Sequence, residues 1–326
     1  MKALVFDRFG GPEVLEYREV QEPELAAGTV LVRMRAIGLN FADVYRRKGN
    51  YHLQGEPPYI LGYEGAGVVE RVADDAEGIR IGDRIAFCDV PFANAELVRV
   101  PAAHAIPLPD DIACEQAASL LLQGLTAHYL VNDSYRVQAG DEVLVHAAAG
   151  GVGQLLIQLS KAKGARVLGL TSSEAKREKA LQAGADEVLM YGSDSSLVWS
   201  ETVRAWSQDG QGVQVAYDSV GSTLMDSFAA VRTKGAVVFY GMAGGDPQPV
   251  DPRMLMDTSK TLTGGDLWNH ITSREERVAR ASALFQELRE GRLRLEEPAR
   301  FALRDGAEAH RLLESRLSTG KILLIP

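Results

Sequence analysis

Cysteine is nearly missing from this 326-residue chain. The two present, Cys88 and Cys114, form no CxxC and no metal-type pair. That excludes a disulfide scaffold and points to a reduced, cytoplasmic setting. Histidine is scarce as well: His52, His104, His128, His146, His270 and His310 show no HExxH or other zinc-ligand spacing. Basic residues are outnumbered, 35 against 44, which leaves a net charge of −9. Broad electrostatic binding to nucleic acid is therefore not expected. No apolar run approaches the roughly 20 residues of a membrane span, and Lys2, Asp7 and Arg8 break up any signal-peptide core. There is no GxSxG elbow, and Gly320-Lys321 is followed by Ile322, so there is no Walker loop. Cys88 and Cys114 have no local activating partner and read as small buried hydrophobes.

What is present is the composition of a folded globular protein, 46% hydrophobic and 24% charged. The length suits about two domains. Up to about residue 123, short Val/Leu/Ile runs alternate with Gly and Pro, as in Thr29–Met34, Ala66–Val72 and Asp83–Phe87. This predicts an antiparallel β domain with a curved, bulged sheet. The rhythm then changes. Buried-strand patterns at Glu142–Ala147, Ala165–Leu170, Glu187–Tyr191, Val213–Tyr217 and Ala236–Tyr240 are separated by helical stretches. Repeated β-turn-α units predict an α/β doubly wound parallel sheet. A long amphipathic helix follows at Ser273–Glu290, then a helix near Ala307–Arg316 and a last strand, Lys321–Ile325. That strand needs a sheet partner, which the first domain can offer. The expected organisation is 1–123 and 262–326 as one β-rich domain, with 124–261 inserted between them.

The sharpest motif is Val145-His146-Ala147-Ala148-Ala149-Gly150-Gly151-Val152-Gly153-Gln154, which joins a predicted strand to a predicted helix. Glycines there let the backbone turn tightly against a pyrophosphate, and the helix N-terminus offers amide donors. It is a GxGxxG variant with Ala148 at the first glycine position. The plainer alternative is a βα turn that needs glycine for packing alone. At the end of the next strand, Leu170-Thr171-Ser172-Ser173 has hydroxyls where NAD sites place a carboxylate, and Lys176 and Arg177 follow. A phosphate wants donors and positive charge, so NADPH is the expected coenzyme. Glu174 is the contrary sign, and a solvated helix face is the alternative for the two basic residues.

Taken together, several strings give the chain a family resemblance. They are Gly10-Gly11-Pro12-Glu13-Val14-Leu15, Ala36-Ile37-Gly38-Leu39-Asn40-Phe41-Ala42-Asp43-Val44-Tyr45, Leu61-Gly62-Tyr63-Glu64-Gly65-Ala66-Gly67-Val68-Val69, Gln123-Gly124-Leu125-Thr126-Ala127, Tyr217-Asp218-Ser219-Val220-Gly221 and Gly320-Lys321-Ile322. The chain resembles the zinc-free quinone oxidoreductases, the zeta-crystallin-like branch of the medium-chain dehydrogenase/reductase superfamily. The resemblance implies a Rossmann domain inserted into a GroES-like β-rich catalytic domain, with the coenzyme in a cleft. Zinc-dependent relatives carry cysteine where this chain has Asn40 and histidine where it has Tyr63, so no metal is expected.

The resemblance also implies roles. Asn40 and Tyr45 would lie beside the nicotinamide and substrate, Asn40 as a coenzyme contact, and would orient and polarise a carbonyl; a turn residue and a packing aromatic are the plainer readings. Tyr51 would wall the substrate pocket, and Asp43 would fix the loop or touch coenzyme. Thr126 would lie on the nicotinamide side, and Gly150, Gly151 and Val152 would form the pyrophosphate turn. Ser172, Lys176, Tyr191 and Arg316 would hold the 2′-phosphate, although Arg316 could instead form a surface ion pair. Gly241 and Met242 would border the nicotinamide; many relatives have Asn where Met242 stands, so only a backbone contact is open there. The implied activity is NADPH-dependent reduction of a quinone or similar activated carbonyl, in a homodimer. The alternatives are an NADPH-dependent enone, enal or enoyl-thioester reductase, and an NADPH-binding module without turnover.

Overall fold

The computed structural model describes residues 1–192, 199–315 and 317–326. The chain divides into two compact units. One is Met1–Leu125 with Ile271–Gln286 and Leu295–Pro326; the other is Thr126–His270 with Glu287–Arg294.

The first unit holds two sheets. β1 (Lys2–Phe6) pairs antiparallel with β2 (Glu16–Glu19) and with β4 (Tyr59–Ile60). The larger sheet is organised around the 11-residue β3 (Thr29–Leu39), which pairs antiparallel with β5 (Gly65–Val72) and β7 (Leu97–Pro101). β6 (Arg84–Phe87) and β8 (Ile106–Pro107) continue it beyond β5. The β3–β5 register shifts twice, at Leu31/Val32 and Met34/Ala36, which are the expected bulges. Gly67 lies so close to its neighbour that a Cβ would fall 2.2 Å from the Arg33 carbonyl oxygen. Val30, Val32, Met34, Ile37, Phe87 and Val98 are buried in the core. Each such side chain contributes about 1.5–3 kcal/mol by leaving water. The C-terminal strand β16 (Ile322–Ile325) pairs antiparallel with β3, Ile322 against Leu39 and Leu324 against Ile37. β15 (Ala299–Ala302) joins it on the outside. That register places Lys321, the residue before β16, beside Asn40, the residue after β3. Helix α1 (Phe41–Arg47) leaves β3 at this point.

The second unit is a parallel sheet in the order β11-β10-β9-β12-β13-β14. The strands are β9 (Glu142–Val145), β10 (Arg166–Thr171), β11 (Glu187–Met190), β12 (Val213–Asp218), β13 (Val231–Phe239) and β14 (Thr261–Gly264). This is the doubly wound order in which chain direction reverses beside the first strand. The sequence reading counts only five of these strands. β14 is four residues long and half exposed, so it has no buried apolar run to mark it, and it straddles the expected division at 261/262. Its partner is β13, Val237 against Leu262, so it belongs with this sheet. The helices are α2 (Cys114–Tyr129), which enters the unit, then α3 (Gly151–Ala162), α4 (Glu174–Gln182), α5 (Trp199–Trp206), α6 (Leu224–Ala230) and α7 (Pro252–Thr258). Gly164, at φ 83°, ends α3 where a left-handed residue is needed. Leu144, Leu168, Leu170 and Val237 pack with Leu224 and Phe228 of α6. The amphipathic segment forms α8 (Arg274–Arg289), with Ala281, Leu284 and Phe285 buried, and α9 (Gly306–Glu314) precedes the last strand.

Candidate functional site

The first unit gathers four of the expected residues on α1 and the segment after it. Asn40 stands at the helix N-cap, and the Asp43 side chain accepts its backbone N–H at 3.0 Å. A carboxylate in the first helical turn is favoured by the amide dipoles there. Burial pushes the Asp43 carboxyl above the ordinary range, although Arg46 and the Asn40 N–H pull it down. The Arg46 guanidinium donates to Asp43 at 3.3 Å and to the His52 carbonyl at 3.1 Å. It lies 3.8 Å over the Tyr63 ring and 5.0 Å over the Tyr51 ring. These contacts fold the segment after α1 back on the helix, and Tyr45 and Tyr51 meet edge-on at 6.4 Å. Both tyrosines are half-buried.

Behind Asn40 is a buried ion pair. The Lys321 ammonium donates to Glu64 Oε2 at 2.6 Å and to Asn40 Oδ1 at 2.9 Å. Asn40 Nδ2 donates to the same carboxylate at 2.9 Å and to the Gly38 carbonyl at 3.2 Å. The Leu122 N–H donates to Glu64 Oε1 at 2.7 Å. Glu64 is fully buried, and Lys321 is 5% exposed. Both amide hydrogens of Asn40 are therefore engaged within this unit, which leaves none to polarise a carbonyl. Glu64 and Lys321 lie inside the motifs that carry the family resemblance, and the sequence assigns neither a role. The signal available was a lone charge of each sign directly against apolar strand sequence, Glu64 before Gly65–Val69 and Lys321 before Ile322–Ile325.

In the second unit the expected coenzyme residues follow the carboxyl ends of parallel strands, where open α/β sheets bind ligands. Gly150–Val152 follow β9, Ser172 follows β10, Tyr191 follows β11, and Gly241 and Met242 follow β13. Thr126 is half-buried on α2. The glycine turn is tightly constrained. Ala147 is left-handed at φ 47°, and the Gly150 N–H donates to its carbonyl at 2.8 Å. A Cβ on Gly153 would lie 2.4 Å from that same oxygen. Ala148 fits at the first glycine position because its strand neighbour is Gly169, where a Cβ would come within 2.8 Å of the Ala148 methyl. No side chain caps the N-terminus of α3. Its first-turn amides, which have no acceptor within the helix, suit a pyrophosphate.

Ser172 is exposed, and Lys176 is half-buried in the first turns of α4. Arg177 is drawn to Glu174 at 3.0 Å and to the Val188 carbonyl at 3.2 Å, so Glu174 has a local partner. Arg316 lies outside the described residues. After β13 the Tyr240 and Ala243 N–H groups donate to the Asp218 and Ser219 carbonyls, both at 3.0 Å, which ties the Gly241-Met242 turn to the end of β12. Sequence reasoning also passed over His146, Asp218 and Ser227, which form a buried hydrogen-bonded cluster beside the glycine turn.

Known proteins share this arrangement. A model of the alcohol dehydrogenase GroES-like domain matches residues 26–110, and one of the zinc-binding dehydrogenase domain matches 151–285. A quinone oxidoreductase of Pseudomonas aeruginosa is 39% identical over 100% of this chain and 99% of its own. The solved quinone oxidoreductase of Pseudomonas syringae pv. tomato superposes with a TM-score of 0.95 at 38% identity, covering 100% of this chain and 99% of that one. The Escherichia coli quinone oxidoreductase, solved with NADPH, does so with a TM-score of 0.95 at 34% identity over 100% of both chains. With a Rossmann sheet inserted into a GroES-like β unit and full-length similarity at this level, the chain belongs to the quinone oxidoreductase family of medium-chain dehydrogenases/reductases.

Proposed function

We propose that this chain is an NADPH-dependent quinone oxidoreductase. The observation that carries the reading is the uncapped α3 N-terminus behind a turn whose Gly153 leaves no space for a Cβ. Gly150, Gly151 and Val152 would hold the pyrophosphate, with Thr126, Gly241 and Met242 toward the nicotinamide. Ser172, Lys176, Tyr191 and Arg316 would hold the adenosine phosphate: the end of β10 has no carboxylate to claim ribose hydroxyls or repel a phosphate. When bound, NADPH supplies a hydride. In the first unit Tyr45 and Tyr51 offer an aromatic wall and hydroxyls to an acceptor carbonyl. Asn40 acts as a positioning residue, because its amide is fixed by Lys321 and Glu64.

The reaction is proposed to be metal-independent, and the donor set supports this. A divalent cation at Asn40 Oδ1 and Glu64 Oε2 would meet an ammonium already bonded to both. Among the described residues no group of three or more His, Cys, Asp or Glu side chains could hold a metal ion. The division into a catalytic and a coenzyme unit, a homodimer and a cytoplasmic setting complete the proposal; the homodimer rests on the family resemblance.

The test is steady-state oxidation of NADPH and NADH with a panel of quinones and a panel of enones, with and without chelator. Saturable, chelator-insensitive turnover with NADPH and quinones is expected. Higher kcat/KM on enones would overturn the choice of acceptor, and an absence of turnover with every acceptor would favour a binding module.

A further inference from the structure

The cluster beside the glycine turn fixes where each hydrogen goes. Asp218 Oδ1 accepts the N–H groups of Val220 and Gly221 at 2.8 and 3.0 Å. Its Oδ2 accepts the hydroxyls of Thr223 and Ser227 at 2.8 and 2.7 Å. A carboxylate surrounded by four donors is ionised and only accepts. The single hydrogen of Ser227 is therefore committed to Asp218. Ser227 Oγ also lies 2.9 Å from His146 Nε2. With its own hydrogen committed, Ser227 must accept there, so Nε2 carries a proton.

The other ring nitrogen, Nδ1, lies 2.8 Å from the Tyr191 hydroxyl. His146 is fully buried, and that burial lowers its pKa against the pull of Asp218 and Asp226, so the ring by itself is neutral. Nδ1 then offers a lone pair, and Tyr191 donates to it. The Tyr191 N–H donates to the Thr171 carbonyl at 2.8 Å, which sets the tyrosine beside Thr171-Ser172 at the end of β10. A phosphate dianion seated there would only accept. Tyr191 has one hydrogen and can give it to the phosphate only by taking it from His146. Its oxygen and Nδ1 would then face each other as two lone pairs unless Nδ1 gains a proton. Nε2 keeps its own, so that gain makes the ring an imidazolium.

We infer that His146 is a positioning residue that selects the phosphorylated coenzyme: a 2′-phosphate held by Tyr191 reverses the Tyr191–His146 hydrogen bond, and the ring takes up a proton from solvent to become the donor. This rests on the reading above, in which Tyr191 belongs to the adenosine-phosphate site. The imidazolium donates from Nε2 to Ser227 and from Nδ1 to Tyr191. The charged groups that face it are both anions, Asp218 at 3.9 Å from Nε2 and Asp226 on α6. The Trp199 ring of α5 meets the imidazole edge-on at 5.2 Å. With a phosphate beyond Tyr191, the charged ring has negative charge on two sides, which offsets the cost of ionising a buried group. NADH brings no such phosphate, so Tyr191 keeps donating and the ring stays neutral.

The test is 15N-histidine spectroscopy of the wild type alone, with NADH and with NADPH, from about pH 6 to 9 around the histidine range, together with calorimetric affinities for both coenzymes. His146→Gln assigns the resonances. His146 should carry a proton on Nε2 alone in the protein by itself and with NADH, and on both nitrogens with NADPH, its titration moving up by at least about one pH unit, a tenfold linked effect. The preference for NADPH over NADH should therefore be greatest at low pH and fall as pH rises through that titration, by up to about tenfold per pH unit for one proton. The phosphate's own ionisation, near pH 6, acts in the opposite direction. His146→Gln should lose the slope, and Ser227→Ala, which removes the acceptor of Nε2–H, should lower the titration in the NADPH complex. An NADPH complex whose His146 titrates as it does with NADH, or holds a proton on one nitrogen only throughout the range, overturns the inference and leaves the functional reading standing. A wild type that binds neither coenzyme overturns both.

Discussion

Lys321→Met removes the ammonium from a fully buried carboxylate and leaves Glu64 with, among the described residues, the Asn40 amide and the Leu122 N–H. At 2.6 Å and an effective dielectric constant of about 20, the lost attraction is roughly 6 kcal/mol. Desolvation of both ions offsets part of the pair's net worth, but truncating one partner keeps the penalty of the other, so the expected loss is about 3–5 kcal/mol. That is a large share of the 5–15 kcal/mol stability usual for a folded protein. Glu64→Gln with Lys321→Met removes both charges and leaves a neutral amide in hydrogen-bonding reach of Asn40, so the double variant should recover at least about 2 kcal/mol relative to Lys321→Met. Urea unfolding followed by far-ultraviolet circular dichroism is the assay. Tryptophan emission is unsuitable, because Trp199, Trp206 and Trp268 all belong to the second unit. Acceptor kcat should fall in the single variant more than coenzyme affinity does, since Asn40 loses its fixed orientation. Strict additivity, with the double variant as unstable as the two single losses summed, would refute the reasoning.

His310 is buried against Arg47, and burial with that cation lowers its pKa to about 3. The folded state therefore holds a neutral ring that the unfolded chain protonates below about 6.5, so stability should fall with acid by up to about 1.4 kcal/mol per pH unit from that point toward pH 3. His310→Gln should flatten this slope in pH-dependent melting, and an unchanged slope would assign the acid sensitivity elsewhere. Gly153→Ala should weaken NADPH and NADH together by about tenfold or more, because its methyl would meet the Ala147 carbonyl at 2.4 Å and must push α3 off the turn; unchanged calorimetric affinity would show that the turn tolerates the shift.

The doubly wound sheet was legible because its core strands are short, mostly apolar runs separated by helical stretches, as Val143–Val145 is before the glycine turn and α3. Periodicity exposes such strands directly. β14 escaped because Thr261-Leu262-Thr263-Gly264 is an edge strand, and an edge strand needs no such run. The turn was legible through its glycines, but the cluster beside it was not. His146 reads as an ordinary strand-end residue, and nothing local shows that Ser227 and Tyr191 converge on it from 81 and 45 residues away.

The same limit explains the first unit. Asn40, Asp43 and Tyr45 share one short stretch: the Asp43 carboxylate accepts the Asn40 N–H, and the loop that Arg46 folds back sets Tyr51 against Tyr45. Lys321 reaches Asn40 from 281 residues away by strand register alone. Once Ile322 pairs with Leu39, the residue before one strand and the residue after its antiparallel partner must be neighbours. Ile322, Leu323 and Leu324 are all buried, so it is the pairing of this apolar strand with β3 that places the ammonium. A charged residue directly before an apolar terminal strand is thus held by burial of its neighbours, and its partner is whatever ends the adjacent strand. On that argument a substitution that weakens only the apolar face, such as Ile322→Ala, should loosen Asn40 as well as the sheet.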